Sequence, residues 1–294
     1  MRKNTLMNTD LLLERSEELL SSRAAERIGE HFEYQSCTSD GIEIFRARIK
    51  SREGEKALGK PKGRYVTLTF EPFGKYSPPK TEFSSALCRE IGGLCRANGF
   101  DARSTLVIGI GNRAVSADSF GPLVADGVLS TRAIKQISDK AFRSLGRKCV
   151  SAFSPGVRAA TGISAQEAAY AAVKATGCTL VIALDALTSS DPARLLATVQ
   201  LTDAGLVPGS ASGANTGKLT EKTLGVPVIA LGVPTTVTPV TLARLTGGRL
   251  KDAAALSEKL TVAPRDLDES LPVLSSAIAG ALNDLFSDAG GYLS

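Results

Sequence analysis

The sequence predicts an α/β fold with a mainly parallel or mixed central sheet, flanked by helices and extended by antiparallel strands near the N terminus. From residue 105 onwards, β-branched apolar runs alternate with stretches of helical periodicity, as in sheets covered by helices on both faces. Two earlier segments alternate apolar and polar residues, which is typical of half-buried antiparallel strands. A length of 294 residues with 43% hydrophobic content allows one large α/β domain or two small ones.

The first hundred residues predict two helices around a pair of strands. Residues 11–30 mix Leu with Glu and Arg at helical spacing and predict an amphipathic helix. Residues 41–49 and 64–70 predict the antiparallel strands, which either extend the sheet edge or form an appended subdomain. The Gly- and Lys-rich segment 50–62 between them predicts a solvated loop, and residues 80–99 predict a further helix.

The remainder of the chain predicts five strands separated by helices. Apolar β-branched runs indicate the strands, and apolar residues at helical spacing indicate the helices. The closing helix carries Pro272 near its first turns. The predicted strands are residues 105–110, 149–154, 180–184, 198–202 and 226–231, and the predicted helices are residues 122–137, 164–175 and 265–286.

Composition excludes several classes of function. The net charge of +5 is dispersed, Trp is absent and aromatic residues make up only 5%, so we expect no stacking platform for nucleic acid. The five cysteines are widely spaced and never form CxxC, which disfavours zinc ribbons and disulfide frameworks and fits a reducing cytosol. The N terminus lacks the apolar core of a signal peptide, and no apolar run is long enough for a membrane span. We therefore expect a soluble intracellular protein.

Two apolar strands lead to single carboxylates. Residues 105–118 read TLVIGIGNRAVSAD and residues 179–185 read TLVIALD, so that they end at Asp118 and Asp185. Ligands of open α/β sheets bind outside the carboxyl ends of the strands, where two such acids would meet. Two carboxylates could share a proton and activate water, or hold a divalent cation. A turn or a helix cap would use Asp185 equally well.

The other candidate side chains have simpler interpretations. Asp126 falls inside a predicted helix, Asp191 precedes Pro192 as a helix cap would, and Asp203 fits a turn. His31 is the only histidine, so metal centres built on several imidazoles are impossible. We expect His31, far from the α/β core, to be structural or exposed.

Two glycine-rich segments look like nucleotide motifs. Residues 109–114 match the loose dinucleotide pattern, but Pro122 marks a later helix start and the next predicted strand ends without an acid. Residues 213–219 have one residue too few for a phosphate loop, and Leu219 replaces the magnesium-binding Ser or Thr. We interpret residues 208–217 as a flexible loop that could cover a peptide-binding cleft, and keep nucleotide binding at residues 109–114 as an alternative function.

Nearly the whole chain closely resembles the germination proteases, endopeptidases of spore-forming bacteria that degrade small acid-soluble spore proteins. Shorter matches lie at residues 8–11 and 57–69. The matching stretches of the α/β region are residues 105–132, 151–163, 179–189, 198–237 and 261–283.

The resemblance implies a fold similar to that of hydrogenase maturation endopeptidases and two essential aspartates, which map onto Asp118 and Asp185. It implies that Gly109, Gly111 and Asn112 shape the loop that carries Asp118. The histidine with which the hydrogenase-processing relatives recognise nickel has no counterpart in the α/β region, so we expect no metal and no cofactor. A metal-dependent variant of the same peptidase stays open as an alternative.

The resemblance further implies a zymogen that removes its own N-terminal segment. The match at residues 9–12 predicts cleavage between Asp10 and Leu11, which gives a prosegment of residues 1–10 and one peptidase domain of residues 11–294. The implied substrates are the small acid-soluble spore proteins, with no direct contact to nucleic acid or membrane. The implied assembly is a homotetramer, and the implied location is the cytoplasm of the spore core.

Overall fold

The chain folds around an eight-stranded sheet in a computed structural model that describes residues 9–21, 29–73, 81–207, 217–257 and 259–293. The strands are β1 (Phe32–Ser39), β2 (Ile42–Ile49), β3 (Gly63–Thr69), β4 (Ser104–Gly109), β5 (Cys149–Phe153), β6 (Leu180–Ser189), β7 (Thr198–Thr202) and β8 (Val228–Val237).

The sheet has a parallel half and an antiparallel half. Its strand order is β1-β2-β3-β7-β8-β6-β4-β5. Strands β5, β4, β6 and β8 run parallel to one another. Strand β7 pairs antiparallel with both β8 and β3, and the pairs of β3 with β2 and of β2 with β1 are also antiparallel. The predicted mixed α/β fold is confirmed. The N-terminal strands extend the edge of the central sheet, because β3 pairs with β7.

Helices cover both faces of the sheet. The first six are α1 (Leu12–Leu20), α2 (Arg52–Leu58), α3 (Thr81–Asn98), α4 (Phe120–Gly127), α5 (Arg132–Ile137) and α6 (Asp139–Ser144). The following helices in the described part of the chain are α7 (Arg158–Thr161), α8 (Ala165–Thr176), α9 (Glu221–Leu224), α10 (Pro239–Thr246), α11 (Leu250–Ser257) and α12 (Leu267–Leu285). None of these helices is long and apolar enough to cross a lipid bilayer.

Residues 122–137, predicted as one helix, form two. Helix α4 ends at Gly127, and Val128 is extended, with ψ 128°. A Cβ on Gly127 would lie 2.7 Å from the Cβ of Ala279 in α12, so glycine is needed where the two helices cross closely. The prediction of one continuous helix was wrong because it relied on the spacing of apolar residues, which does not show where glycine allows two helices to pack closely.

The predicted loop 50–62 contains helix α2. Ser51 caps its start by accepting a hydrogen bond from the backbone N–H of Gly54 at 3.3 Å. Gly59 ends it in the left-handed conformation at φ 65°, which glycine adopts without strain. The loop prediction was wrong because it relied on the charged composition of the segment. Ser51 and Gly59 are the residues in the sequence that indicate the start and the end of a short helix.

The two faces of the sheet are covered differently. Helices α3, α4 and α12 pack on one face and build a continuous apolar core with side chains such as Val107, Leu184 and Leu201. On the opposite face, α8 and α9 cover the parallel half, whereas α1 and α2 cover the antiparallel half in a separate cluster. A cavity of about 250 Å³ lies between the two clusters, over β6, β8 and β7.

Candidate active site

Asp185 lies in the middle of β6 with 6% of its surface exposed. The sequence predicts that this strand ends beside Asp185. Instead β6 continues to Ser189, because Thr188 and Ser189 still pair with β8 beyond a register shift. Burial raises the pKa of the Asp185 carboxyl well above its ordinary value, and the charges of Asp118 and Asp10 raise it further.

Asp118 is held by the loop that follows β4. It ends a short 3₁₀ turn, Ser116–Asp118, and its Oδ2 accepts a hydrogen bond of 2.7 Å from the backbone N–H of Asn112. Gly111 has φ 128°, and a Cβ there would lie 2.0 Å from the backbone oxygen of Asp118. The loop therefore needs glycine at this position, and it directs the amide of Asn112 at the carboxylate.

The structure brings Asp118 and Asp185 together. Strand β4 lies beside β6, with Gly109 opposite Leu184, so the loop after β4 passes next to Asp185. Burial raises the pKa of Asp118 as well, but the hydrogen bond from the Asn112 amide opposes this shift by stabilising the carboxylate. The two environments differ: the Asp118 carboxylate accepts a backbone hydrogen bond, whereas Asp185 is more deeply buried and faces the charges of Asp118 and Asp10.

A third carboxylate, Asp10, lines the same cavity as Asp185. The backbone N–H of Asp10 donates to the Thr188 carbonyl at 2.8 Å, and its Oδ2 accepts from the Thr188 N–H at 2.9 Å. Leu11 and Leu12 are completely buried. The peptide bond between Asp10 and Leu11, at which the sequence predicts self-cleavage, therefore lies next to the strand that carries Asp185.

Sequence reasoning missed two polar side chains that line the cavity. Lys60 follows α2, and its Nζ lies 3.9 Å from Oδ1 of Asp10. Burial lowers the pKa of this lysine, while the charge of Asp10 opposes the shift. Gln200 lies in β7, is 7% exposed, and contacts the backbone on both sides of Leu11. The sequence shows one Gln inside the predicted strand TVQLT. A buried amide needs specific hydrogen-bond partners, so this residue could have been recognised as a candidate contact residue.

The other three candidate aspartates of the sequence have structural roles. Asp126 is exposed and pairs with Arg113, and Asp191 caps a 3₁₀ turn by accepting from the N–H of Ala193 at 2.9 Å. The latter agrees with its predicted capping role. Asp203 accepts from the N–H of Arg64 and from Nδ2 of Asn98, which joins β3, β7 and α3.

Of the other sequence candidates, His31 lies apart from this site, whereas the loop of residues 109–114 belongs to it because it holds Asp118. His31 precedes β1, and its carbonyl accepts a hydrogen bond from Lys50 at 2.9 Å. In the loop of residues 109–114, the amide of Asn112 is bonded to Asp118, and α4 begins only at Phe120. The predicted flexible loop lies outside the described residues except for Gly217. Within the described ranges, no three His, Cys, Asp or Glu side chains are grouped to hold a metal ion.

The fold and the site define a class of α/β proteins in which a carboxyl buried within a parallel strand, Asp185, lies near a half-buried carboxyl on the loop after the neighbouring strand, Asp118. Residues 7–247 match the family model described as "Germination protease". The chain belongs to the germination protease family.

The similarity extends to germination proteases from several bacteria. A germination protease of Priestia megaterium is 36% identical over 204 residues, which are 69% of this chain and 55% of the relative. One from Caldanaerobacter subterraneus is 37% identical over 238 residues, or 81% of this chain and 71% of the relative. The chain thus spans about half the length of the first relative. The solved NiFe hydrogenase maturation protease HycI of Thermococcus kodakarensis covers 63% of this chain at 15% identity and a TM-score of 0.36, with 92% of its own length covered.

Proposed function

We propose that this chain is an endopeptidase of spore germination in which Asp118 and Asp185 activate water. The observation that supports this proposal is the placement of two neighbouring carboxyls in different surroundings, with Asp185 buried in β6 and Asp118 bonded to the Asn112 amide, beside a buried peptide segment. Ionised Asp118 accepts a proton from water as the water oxygen bonds to the carbonyl carbon. Protonated Asp185 then gives its proton to the leaving nitrogen as the C–N bond breaks.

The proposed substrates are small acid-soluble spore proteins, on the basis of the family to which the chain belongs. The proposed zymogen step is self-cleavage between Asp10 and Leu11, supported by the position of Asp10 against Thr188 in β6. Assembly as a homotetramer and a location in the cytoplasm of the spore core stay predictions from the sequence.

Digestion of a purified small acid-soluble spore protein tests this function. We expect wild-type protein to make defined cuts, and the Asp118→Asn and Asp185→Asn variants to lose at least about 10³-fold in kcat, because each removes a proton-transfer group. Asp126→Asn is the matched control, since Asp126 is an exposed acid just beyond the same loop.

Two outcomes would refute parts of this proposal. Cutting by both active-site variants within tenfold of the wild-type rate would show that the pair is not the catalytic machinery. Loss of wild-type cutting in EDTA, restored by one divalent ion, would show that the carboxylates act through a metal instead.

A further inference from the structure

Gln200 contacts the main chain on both sides of Leu11. Its Nε2 donates to the carbonyl oxygen of Asp10 at 3.1 Å, and its Oε1 accepts from the backbone N–H of Leu12 at 2.6 Å. The Asp10 carbonyl belongs to the peptide bond for which self-cleavage is proposed. The Gln200 side chain therefore contacts both the carbonyl group of the Asp10–Leu11 peptide bond and the N–H of the following peptide bond.

The backbone partners define which way the Gln200 amide points. A carbonyl oxygen can only accept a hydrogen bond, and a backbone N–H can only donate one. The NH₂ group of Gln200 must therefore face Asp10, and its oxygen must face Leu12. The donor is aimed at the atom on which negative charge develops when water adds to the Asp10 carbonyl carbon.

Strand register places Gln200 on the same face of the sheet as Asp185. Gln200 of β7 pairs with Gly232 of β8, and Gly232 pairs with Asp185 of β6, so the three residues form one row across the sheet. Residues in such a row point their side chains to the same face, with about 10 Å between the outer two Cα atoms. The side chain of Leu187 packs over Gly232, where a Cβ would lie 2.6 Å from its Cδ1. Asp185, Gly232 and Gln200 line the same cavity together with Leu187.

We infer that Gln200 donates a hydrogen bond to the carbonyl oxygen of the peptide bond that is cut, and so stabilises the oxyanion formed during hydrolysis. This inference rests on the proposed function. Because Gln200 touches only main-chain atoms of residues 10 and 12, it holds a substrate backbone whatever side chains the substrate carries. A spore protein bound in trans takes the hydrogen bond from Nε2 in place of the Asp10 carbonyl, which leaves with the prosegment.

A structural role makes a different prediction. Leu12 begins α1, and Leu11 supplies no side-chain cap, so the Gln200 oxygen also caps this helix. If capping were its whole contribution, a substitution would lower the melting temperature and leave kcat unchanged.

The test compares full-length wild type with Gln200→Met and Gln200→Glu. Two quantities are measured, the first-order rate of self-cleavage by intact mass, and kcat and KM on a small acid-soluble spore protein. Thr198→Val is the matched control, because Thr198 is a buried polar residue of β7 whose hydroxyl has no hydrogen-bond partner in the described part of the molecule. We expect Gln200→Met to lower kcat and the self-cleavage rate about 100-fold with little change in KM.

Gln200→Glu adds a pH signature that a structural role would not produce. A neutral carboxyl can donate to the carbonyl oxygen, whereas an ionised one cannot. The kcat of this variant relative to wild type should therefore approach one at acidic pH and fall as the pH rises. This variant keeps the size of the side chain and the acceptor for Leu12, so it serves also if Gln200→Met does not fold.

The outcomes separate this inference from the proposed function. If wild type cuts and Gln200→Met has the same kcat, the role of Gln200 alone is overturned. The same holds if the kcat of Gln200→Glu relative to wild type does not vary with pH. An absence of cutting by wild type, in cis and in trans, would overturn both.

Discussion

The pKa of Asp185 determines what this residue does for both catalysis and stability. A carboxyl buried inside β6 and facing two other acids keeps its proton to a higher pH than it does in the unfolded chain. Between an unfolded pKa of about 3.9 and the raised folded pKa, the unfolded chain ionises at this position and the folded chain does not. Rising pH through this window therefore lowers the stability of the fold.

Asp185→Asn should be more stable than wild type at pH 8, because it removes the cost of a buried ionisable group. Each pKa unit by which the fold raises this group corresponds to about 1.4 kcal/mol, so we expect a gain of about 2 °C or more in melting temperature. The gain should vanish near pH 3.5, where both states are protonated. Thermal unfolding across this pH range provides the measurement, with exposed Asp126→Asn as the control. A variant less stable than wild type at pH 8 would contradict the raised pKa.

Helix α1 holds the segment of residues 9–12 against the sheet. Glu14 is 3% exposed, and its carboxylate accepts hydrogen bonds from the N–H of Ser190 at 2.8 Å and from the hydroxyls of Ser189 and Ser190. Arg194 lies 3.6 Å from the same carboxylate. These bonds fix α1 to the end of β6, just beyond Asp185.

Glu14→Ala should release this contact. We expect the free energy of unfolding to fall by about 2 kcal/mol or more, since buried hydrogen bonds to a charged group are lost. Self-cleavage should slow as well, because the Asp10–Leu11 bond is less firmly held at the site. Denaturant unfolding measures the loss of stability, and intact mass over time measures the rate of self-cleavage.

Glu17→Ala is the control for this substitution. Glu17 pairs with the same Arg194 but is largely exposed, so its loss should cost no more than about 1 kcal/mol. Equal effects of the two substitutions would show that Glu14 has no special part in docking α1.

At the level of elements, the sequence predicts those strands and helices that are marked by apolar runs or by capping residues close together in the chain. The apolar runs of β4 and β6 and the capping box of Ser164 and Glu167 at α8 are visible in the sequence. Strand β1 escaped prediction because its side chains are mostly exposed and polar. The extension of β6 past Asp185 also escaped, because its Thr and Ser residues are held by pairing with β8 rather than by an apolar pattern.

At the level of the whole molecule, the site combines residues from both halves of the sheet. Asp118 follows the apolar strand β4 and Asp185 ends the apolar run of β6, so the sequence predicts that they meet. Lys60 and Gln200 come from the antiparallel half, which reaches the site only because β3 pairs with β7 and β7 with β8. Such pairing depends on contacts between residues far apart in the chain, and single-sequence patterns do not reveal it.

Self-cleavage tests the proposed role of Asp118 and Asp185 most directly, because Asp10 lines the same cavity as Asp185. Full-length wild type, Asp118→Asn and Asp185→Asn are incubated under mildly acidic conditions, and their N termini are sequenced over time. We expect a new N terminus at Leu11 in wild type and an unchanged Met1 in both variants. A wild-type chain that keeps Met1, or a Leu11 terminus that forms equally fast in either variant, would contradict it.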